Sequence, residues 1–461
     1  MSDARATHGA GASGFPPGFY WGTATAAYQI EGAPRADGKG ESIWDHFTHT
    51  PGKIARGETG DVADDHYHRW QDDLDLMQRL NLNAYRFSIS WPRIFPDGYG
   101  SLNEAGLDFY SRLIDGMLAR GIEPFATLYH WDLPQPLQDK GGWTNRDTAK
   151  AFADYAGVMA RRFGDRVGHW ITLNEPCVTT VLGHVTGEMA PGEKNPALIL
   201  PVAHHQLLAH GLAIQAIRAE SPRPTDAGIT LNLAYIEPAS DREEDVAAAK
   251  LFSGAWQDIY LEALYRQRYP EEIETILRML GAPDDLIQPD DMATIAAPTD
   301  FIGINYYSRN IVRAGQNGSL LPEVVPASGA LTVMGWEVYP QGLRDLLLHV
   351  HQTYKPPRIY VTENGAAYPD TLAPDGAVHD PDRTRYLRLH FDATREAIAA
   401  GAPVEGFFVW SLLDNFEWAH GFEPRFGVIY VDYATLDRHI KDSGRFLAKV
   451  AATNGARLDA E

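Results

Sequence analysis

One cysteine, Cys177, is all that the 461 residues contain, so no intrachain disulfide is available. That fits a reducing compartment, and a cytoplasmic location is the expectation. No run of 18 or more apolar residues occurs, which excludes a membrane span of the ordinary kind. The segment from Met1 to Gly14 is rich in Ala, Gly and Ser. It has neither the apolar stretch of a signal peptide nor the Arg-rich face of a transit peptide, and residues 1–14 read as a disordered tail. Basic residues are scarce: 40 Lys and Arg stand against 61 Asp and Glu, a net charge of −21. Nucleic acid and anionic membrane are therefore excluded as partners, since both are held by fields of Lys and Arg. Nucleotide-binding glycine motifs and the Gly-x-Ser-x-Gly nucleophile string are also missing. His66-Tyr67-His68 and His204-His205 look metal-like, but two-residue spacing on a helix splays ligands apart, and ordinary core or surface histidines are expected. No strand-like run ends in Lys, which argues against a Schiff-base aldolase. No metal or organic cofactor is expected.

What is present is a globular composition, 44% hydrophobic and 22% charged. Short apolar runs rich in β-branched or aromatic residues begin near Phe19, Asn83, Glu123, His169, Ala227, Asp300, Pro357 and Val404. Helical periods lie between several of them. Tyr67, Trp70, Leu74 and Met77 recur at three- and four-residue steps, as do Phe152, Tyr155, Met159 and Phe163. Gly342 to His351 and Thr384 to Ala400 read as plainer helices. Eight strand–helix repeats predict a parallel (β/α)8 barrel, its strands apolar on both faces because both are covered. The chain exceeds a minimal barrel of about 250 residues, and the surplus is expected in long loops at the C-terminal face: 32–64, 179–201 and 314–338. No linker composition interrupts the chain, so one catalytic domain over 15–450 is expected, with a C-terminal tail over 451–461.

Two strings carry most of the functional signal. Leu173-Asn174-Glu175-Pro176 ends the fourth run, and Tyr360-Val361-Thr362-Glu363-Asn364-Gly365 ends the seventh. Each puts a carboxylate where a strand stops, and a pair of carboxylates suits hydrolysis of a glycosidic bond. The active site of a barrel lies at the C-terminal strand ends. The other residues expected there are Gln29, Arg86 with Trp91, His130 and Trp131, Asn232, Asn305 with Tyr307, Trp410, and Glu417 with Trp418. Amides and carboxylates bond hydroxyls in pairs, while indole faces stack on the C–H side of a pyranose ring. Any one of these aromatics is more often core packing than a sugar platform. Independent strands all ending in polar and aromatic pairs make chance a poor account of the set.

With these residues in hand, the chain resembles the β-glucosidases of glycoside hydrolase family 1. The likeness runs from Phe15-Pro16-Pro17-Gly18 to about Gly444 and includes Tyr85-Arg86-Phe87-Ser88-Ile89-Ser90-Trp91, Leu128-Tyr129-His130-Trp131-Asp132 and Trp410-Ser411-Leu412-Leu413-Asp414-Asn415-Phe416-Glu417-Trp418. The resemblance places the family's acid/base on Glu175 and its nucleophile on Glu363. It places Arg86, Asn305 and Tyr307 beside the nucleophile, to hold and tune it. Gln29, His130, Trp131, Asn174, Tyr307, Glu417 and Trp418 fall on positions that bind the terminal sugar, with Trp410 as floor. Cys177, Val178, Asn232, Trp336 and Phe426 fall more loosely on the aglycone side.

The resemblance implies a retaining exo-β-glucosidase acting on cello-oligosaccharides or aryl glucosides, with a small carbohydrate as partner and no cofactor; a homo-oligomer is left open. A β-galactosidase or β-fucosidase of the same family is the alternative within enzymes. A non-catalytic sugar-binding relative is the alternative outside them, and it would be expected to lack one of the two Glu residues. Retention of Glu at 175 favours O-glycosides over thioglucosides. Glu417, read as an anion, is expected to repel a 6-phosphate and favour unphosphorylated sugar.

Overall fold

A computed structural model describes residues 14–316 and 322–458. Residues 1–13 of the expected tail 1–14, residues 317–321 of the expected loop 314–338 and residues 459–461 of the expected tail 451–461 therefore lie outside the described residues. Eight strands close into a parallel barrel: β1 (Tyr20–Ala24), β2 (Ala84–Ser88), β3 (Glu123–Tyr129), β4 (His169–Asn174), β5 (Asp226–Asn232), β6 (Phe301–Asn305), β7 (Ile359–Asn364) and β8 (Val404–Trp410). Each begins within two residues of a run marked in the sequence. They are legible there because a strand covered on both faces has no polar side to alternate with. All five residues of β2 and β6, and all six of β4 and β7, are buried.

Below the site, aromatic rings fill the barrel. Phe125 stacks on His169 with centroids 4.1 Å apart, and meets Tyr20, Tyr360 and Phe408 at 5.1, 5.2 and 4.7 Å. A packed floor leaves substrate only one way in, from the C-terminal strand ends. The lower rim is also tied down. Arg358 forks onto Asp226 at 2.6 and 2.7 Å, a bidentate geometry that fixes orientation as well as charge.

The predicted helices fall on His66–Arg79, Asp147–Phe163, Pro340–Tyr354 and Pro381–Ala399, the last ending one residue before the expected Ala400. The long helix Ile199–Glu220 is apolar enough to match a membrane span by composition, but most of it is buried inside the protein. Its buried histidines are anchored: His204 bonds Tyr269 and Asp291, and His210 meets the Thr172 hydroxyl at 2.7 Å. His66 likewise pairs with buried Asp73 at 2.7 Å. These histidines are structural, and no cluster of metal-ligating side chains occurs among the described residues.

The segment 32–64 folds around the short helix Ile43–Thr48, capped by a reciprocal Ser42–Asp45 box. A three-stranded sheet of Tyr235–Pro238, Arg309–Arg313 and Glu323–Val325 stands outside the barrel. At the other end of the chain, residues 451–458 are packed and do not trail. Asn454 accepts a hydrogen bond from Trp21 Nε1 at 2.9 Å, and Leu458 is fully buried. The boundary at 450 falls inside the helix Asp442–Ala452.

Candidate active site

Strand register brings the two carboxylates to one place. Across β6 and β7, Asn305 pairs with Glu363; across β5 and β6, Asn232 pairs with Asn305; across β4 and β5, Asn174 pairs with Thr230. Glu175 follows β4 with φ of +47°, its amide still bonded to Thr230 O at 2.9 Å. Arg86, projecting from β2, donates through Nη1 to Glu363 Oε1 at 2.5 Å and through Nη2 to Asn174 Oδ1 at 2.6 Å. The Tyr307 hydroxyl donates to the other Glu363 oxygen at 2.6 Å. Asn305 Nδ2 donates to Glu175 Oε1 at 2.6 Å and also favours the charged form of Glu363. Asn305 thus stands between the two carboxyl groups, bonded to Glu175 and paired in register with Glu363.

The amide orientations follow from their partners. Asn174 Oδ1 accepts from Arg86 and, at 3.1 Å, from Asn305, so its NH2 is left to donate to His130 Nε2 at 3.0 Å. Burial, and then the Arg86 charge, hold His130 well below its usual range, so the ring is neutral and Nε2 accepts. Asn305 Oδ1 accepts from the Thr362 hydroxyl at 2.8 Å, which points the Asn305 NH2 at the carboxyls. Replacing Thr362 by Val keeps the shape but strands that buried carbonyl. Urea unfolding is expected to show a loss of about 1–3 kcal/mol, restored by Ser; an unchanged midpoint for Val would remove Thr362 from this role.

Burial dominates the electrostatics. It raises Glu363, while Arg86, Tyr307 and Asn305 pull the other way. Glu175 is pushed up to about 8, first by burial and then by the Glu363 charge, against bonds from Asn305 and Asn232. The neighbouring charge of Glu363 is thus the second cause, behind burial. Glu417 is also pushed up to about 8, by burial, then by Glu363 and Glu175. That corrects the reading of Glu417 as an anion, because below that value it is a neutral donor. The case against a phosphorylated sugar rests instead on the absence of any Lys or Arg among the residues lining the pocket. A phosphate dianion would be desolvated beside buried carboxyls with no cation to receive it.

The pocket holds about 440 Å³ and is lined by His130, Trp131, Glu175, Val178, Asn232, Tyr307, Trp336, Glu363, Trp410, Glu417, Trp418 and Phe426 among others. Trp418 packs on Trp131 at 4.7 Å and on Trp44 at 4.4 Å. Trp44 lies in a stretch that the sequence presents only as loop, so its support of Trp418 carries no local signal. Gln29, Arg86, Asn174 and Asn305 sit behind this lining. Gln29 Nε2 bonds Asn415 Oδ1 and Phe416 O at 3.0 and 2.8 Å, leaving Oε1 buried without a partner. Two expectations change. Cys177 does not line the pocket; its thiol is buried against Asn232 O. Asn232 pairs in register with Asn305 and favours the charged form of Glu175, and so belongs with the carboxyl pair as well as the aglycone side. Trp91, the strand-end aromatic of β2, is core: it stacks on Tyr155 at 5.2 Å and bonds Gly98 O. Phe252, Trp256 and Asn310 line the pocket without any strand-end signature.

A parallel barrel that buries paired carboxyls under aromatic walls has the build of a barrel glycoside hydrolase. Comparison narrows this to one family. Residues 12–456 match the family model described as Glycosyl hydrolase family 1. Beta-glucosidase A of Thermotoga maritima is 48% identical over 443 residues, covering 96% of this chain and 98% of the relative. The 1,4-beta-D-glucan glucohydrolase of Thermotoga neapolitana is also 48% identical, over 96% and 99% of the two chains. The solved beta-glucosidase from Thermotoga maritima in complex with glucoimidazole superposes with a TM-score of 0.93 at 47% identity, covering 96% of this chain and all of the other. The chain belongs to glycosyl hydrolase family 1.

Proposed function

We propose that the chain is a retaining exo-β-glucosidase that releases terminal β-D-glucosyl residues from cello-oligosaccharides or aryl β-glucosides, with Glu363 as nucleophile and Glu175 as acid/base. The observation that carries this reading is the short link between the carboxyls: Asn305 donates to Glu175 at 2.6 Å and pairs across the sheet with Glu363, whose Oε1 shares the Arg86 guanidinium with Asn174. Carboxyls linked through one intervening residue fit the separation of about 5–5.5 Å that double displacement needs. They do not fit the wider gap that holds a water in inverting enzymes.

Burial and charge divide the labour. Arg86 and Tyr307 hold the Glu363 oxygens and favour its charge, so Glu363 ionises first and attacks the anomeric carbon. Glu175, protonated below about 8, gives its proton to the departing oxygen. Glycosylation of Glu363 removes its negative charge, and with it the second cause of the Glu175 shift. Glu175 then falls in pKa and accepts a proton from the attacking water. Gln29 Oε1, protonated Glu417 and His130 suit the hydroxyls of the terminal sugar, over Trp410.

Rates across p-nitrophenyl glycosides and cellobiose, with proton NMR of the first product, test this reading. Glucosides are expected to lead, and the β anomer to appear before mutarotation. An α product would overturn the retaining mechanism, and a leading galactoside or fucoside would overturn the sugar assignment.

A further inference from the structure

Tyr307 aims its hydroxyl at Glu363 from outside the sheet, because β6 ends at Asn305. Its ring is flanked by Trp336 and Phe426 at 5.1 and 6.2 Å, contacts that leave the backbone free to shift. The backbone is held from behind. Asn364, the residue after Glu363, donates through Nδ2 to Tyr306 O at 2.7 Å and to the Tyr386 hydroxyl at 3.0 Å. The Tyr386 hydroxyl in turn donates to Tyr307 O at 3.2 Å. The carbonyls before and after the Tyr307 Cα are thus both pinned. Tyr386 is itself fixed. It comes from the helix Pro381–Ala399 outside the barrel, is buried, and stacks on His390 at 3.9 Å. Burial lowers His390 to about 4, so the ring is neutral, and its Nδ1–H donates to Tyr386 O at 2.8 Å.

We propose that Tyr386 is a positioning residue for the nucleophile, acting through the Tyr307 backbone and not on the substrate. The inference rests on the reading of Glu363 as nucleophile. A hydroxyl that accepts and donates at once closes the gap between an amide N–H and a carbonyl, which an apolar ring cannot do. Phe at 386 would leave Tyr307 O without this donor and Asn364 Nδ2 with one partner fewer, and each group regains a partner only by moving. Movement of Tyr307 weakens its bond to Glu363, and that bond is one of the pulls toward the charged carboxylate. The other groups facing Glu363 are Arg86 from β2, Glu175 beyond β4, Asn305 at the end of β6 and Glu417 beyond β8. Tyr386 bonds to none of them among the described residues.

The test is the acid limb of kcat/KM for p-nitrophenyl β-D-glucoside, followed in the full chain from about pH 4 to 8. Tyr386→Phe, Tyr307→Phe and the double variant are compared with wild type. Glu363 must be ionised to attack, so a weaker hydrogen bond raises its pKa and moves the limb to higher pH. Tyr386→Phe is expected to move it by about half a pH unit, a loss of about threefold on the acid side that narrows above the limb. Tyr307→Phe should move it further, and adding Tyr386→Phe to that variant should move it no more. A limb unmoved by Tyr386→Phe, whatever the fall in its urea midpoint, would make Tyr386 merely structural and overturn the proposal. Equal shifts by Tyr386→Phe in the wild-type and Tyr307→Phe backgrounds would overturn it too. A limb that Tyr307→Phe itself leaves unmoved would instead overturn the reading of Glu363 as nucleophile.

Discussion

Glu363→Ala is expected to lower kcat by at least about 10⁴-fold on every glycoside, because no other group can form the glycosyl ester. The loss should be chemical and not a failure to fold. Arg86 would lose its closest counter-ion, and a buried charge left alone costs about 3–5 kcal/mol. Here relief is at hand: without the Glu363 charge the second cause of the Glu175 shift disappears. Glu175 can then ionise within reach of the Arg86 field, so the melting temperature should fall by only a few degrees. The truncated side chain leaves a space beside the anomeric carbon, and azide is expected to restore turnover of 2,4-dinitrophenyl glucoside, whose leaving group needs no proton from Glu175. Attack from that face in a single displacement gives the α-glucosyl azide. Turnover of the variant within about a hundredfold of wild type, without added nucleophile, would take the nucleophile's role from Glu363.

Both halves of the carboxyl pair were legible in the sequence for one reason: a parallel strand buried on both faces writes an apolar run, and the first polar residue after it is at the barrel mouth. Asn174-Glu175, Asn305 and Glu363-Asn364 are all read that way. The same rule misleads at Trp91, whose ring turns away to stack on Tyr155, and at Cys177, which is turned behind the lining by the helix that Pro176 starts. It is silent about Phe252 and Trp256, because helical aromatics look like core from sequence alone. It is silent too about the charge of Glu417. That depends on near-complete burial beside two other carboxyls, a property of the assembled mouth and not of any local string. Nor does the sequence distinguish the packed floor at Asn454 from a tail, since a lone Asn finds its donor, Trp21, 433 positions away.

Glu175→Ala should separate substrates by leaving group. Cellobiose, whose departing alkoxide needs a proton, is expected to lose about 10³-fold in kcat/KM, whereas 2,4-dinitrophenyl glucoside should lose less than about tenfold. The pH profiles give an independent reading. Glu175 works protonated and is pushed up to about 8, so wild-type kcat/KM on cellobiose should fall as pH rises through about 8. In the variant acting on the dinitrophenyl glucoside the Glu175 part of that limb should vanish, because its proton is gone and not required, leaving only the weaker dependence set by Glu417, which is also pushed up to about 8. Stability carries the same sign. A carboxyl raised in the folded state above its ordinary value of 4.5 adds stability that is full below about 4.5 and is lost as pH rises to about 8. Glu175→Gln, uncharged and of the same shape, should flatten that decline in urea unfolding measured from pH 5 to 9. Equal losses on the two substrates, or an alkaline limb unmoved in the alanine variant, would take the proton donor's role from Glu175.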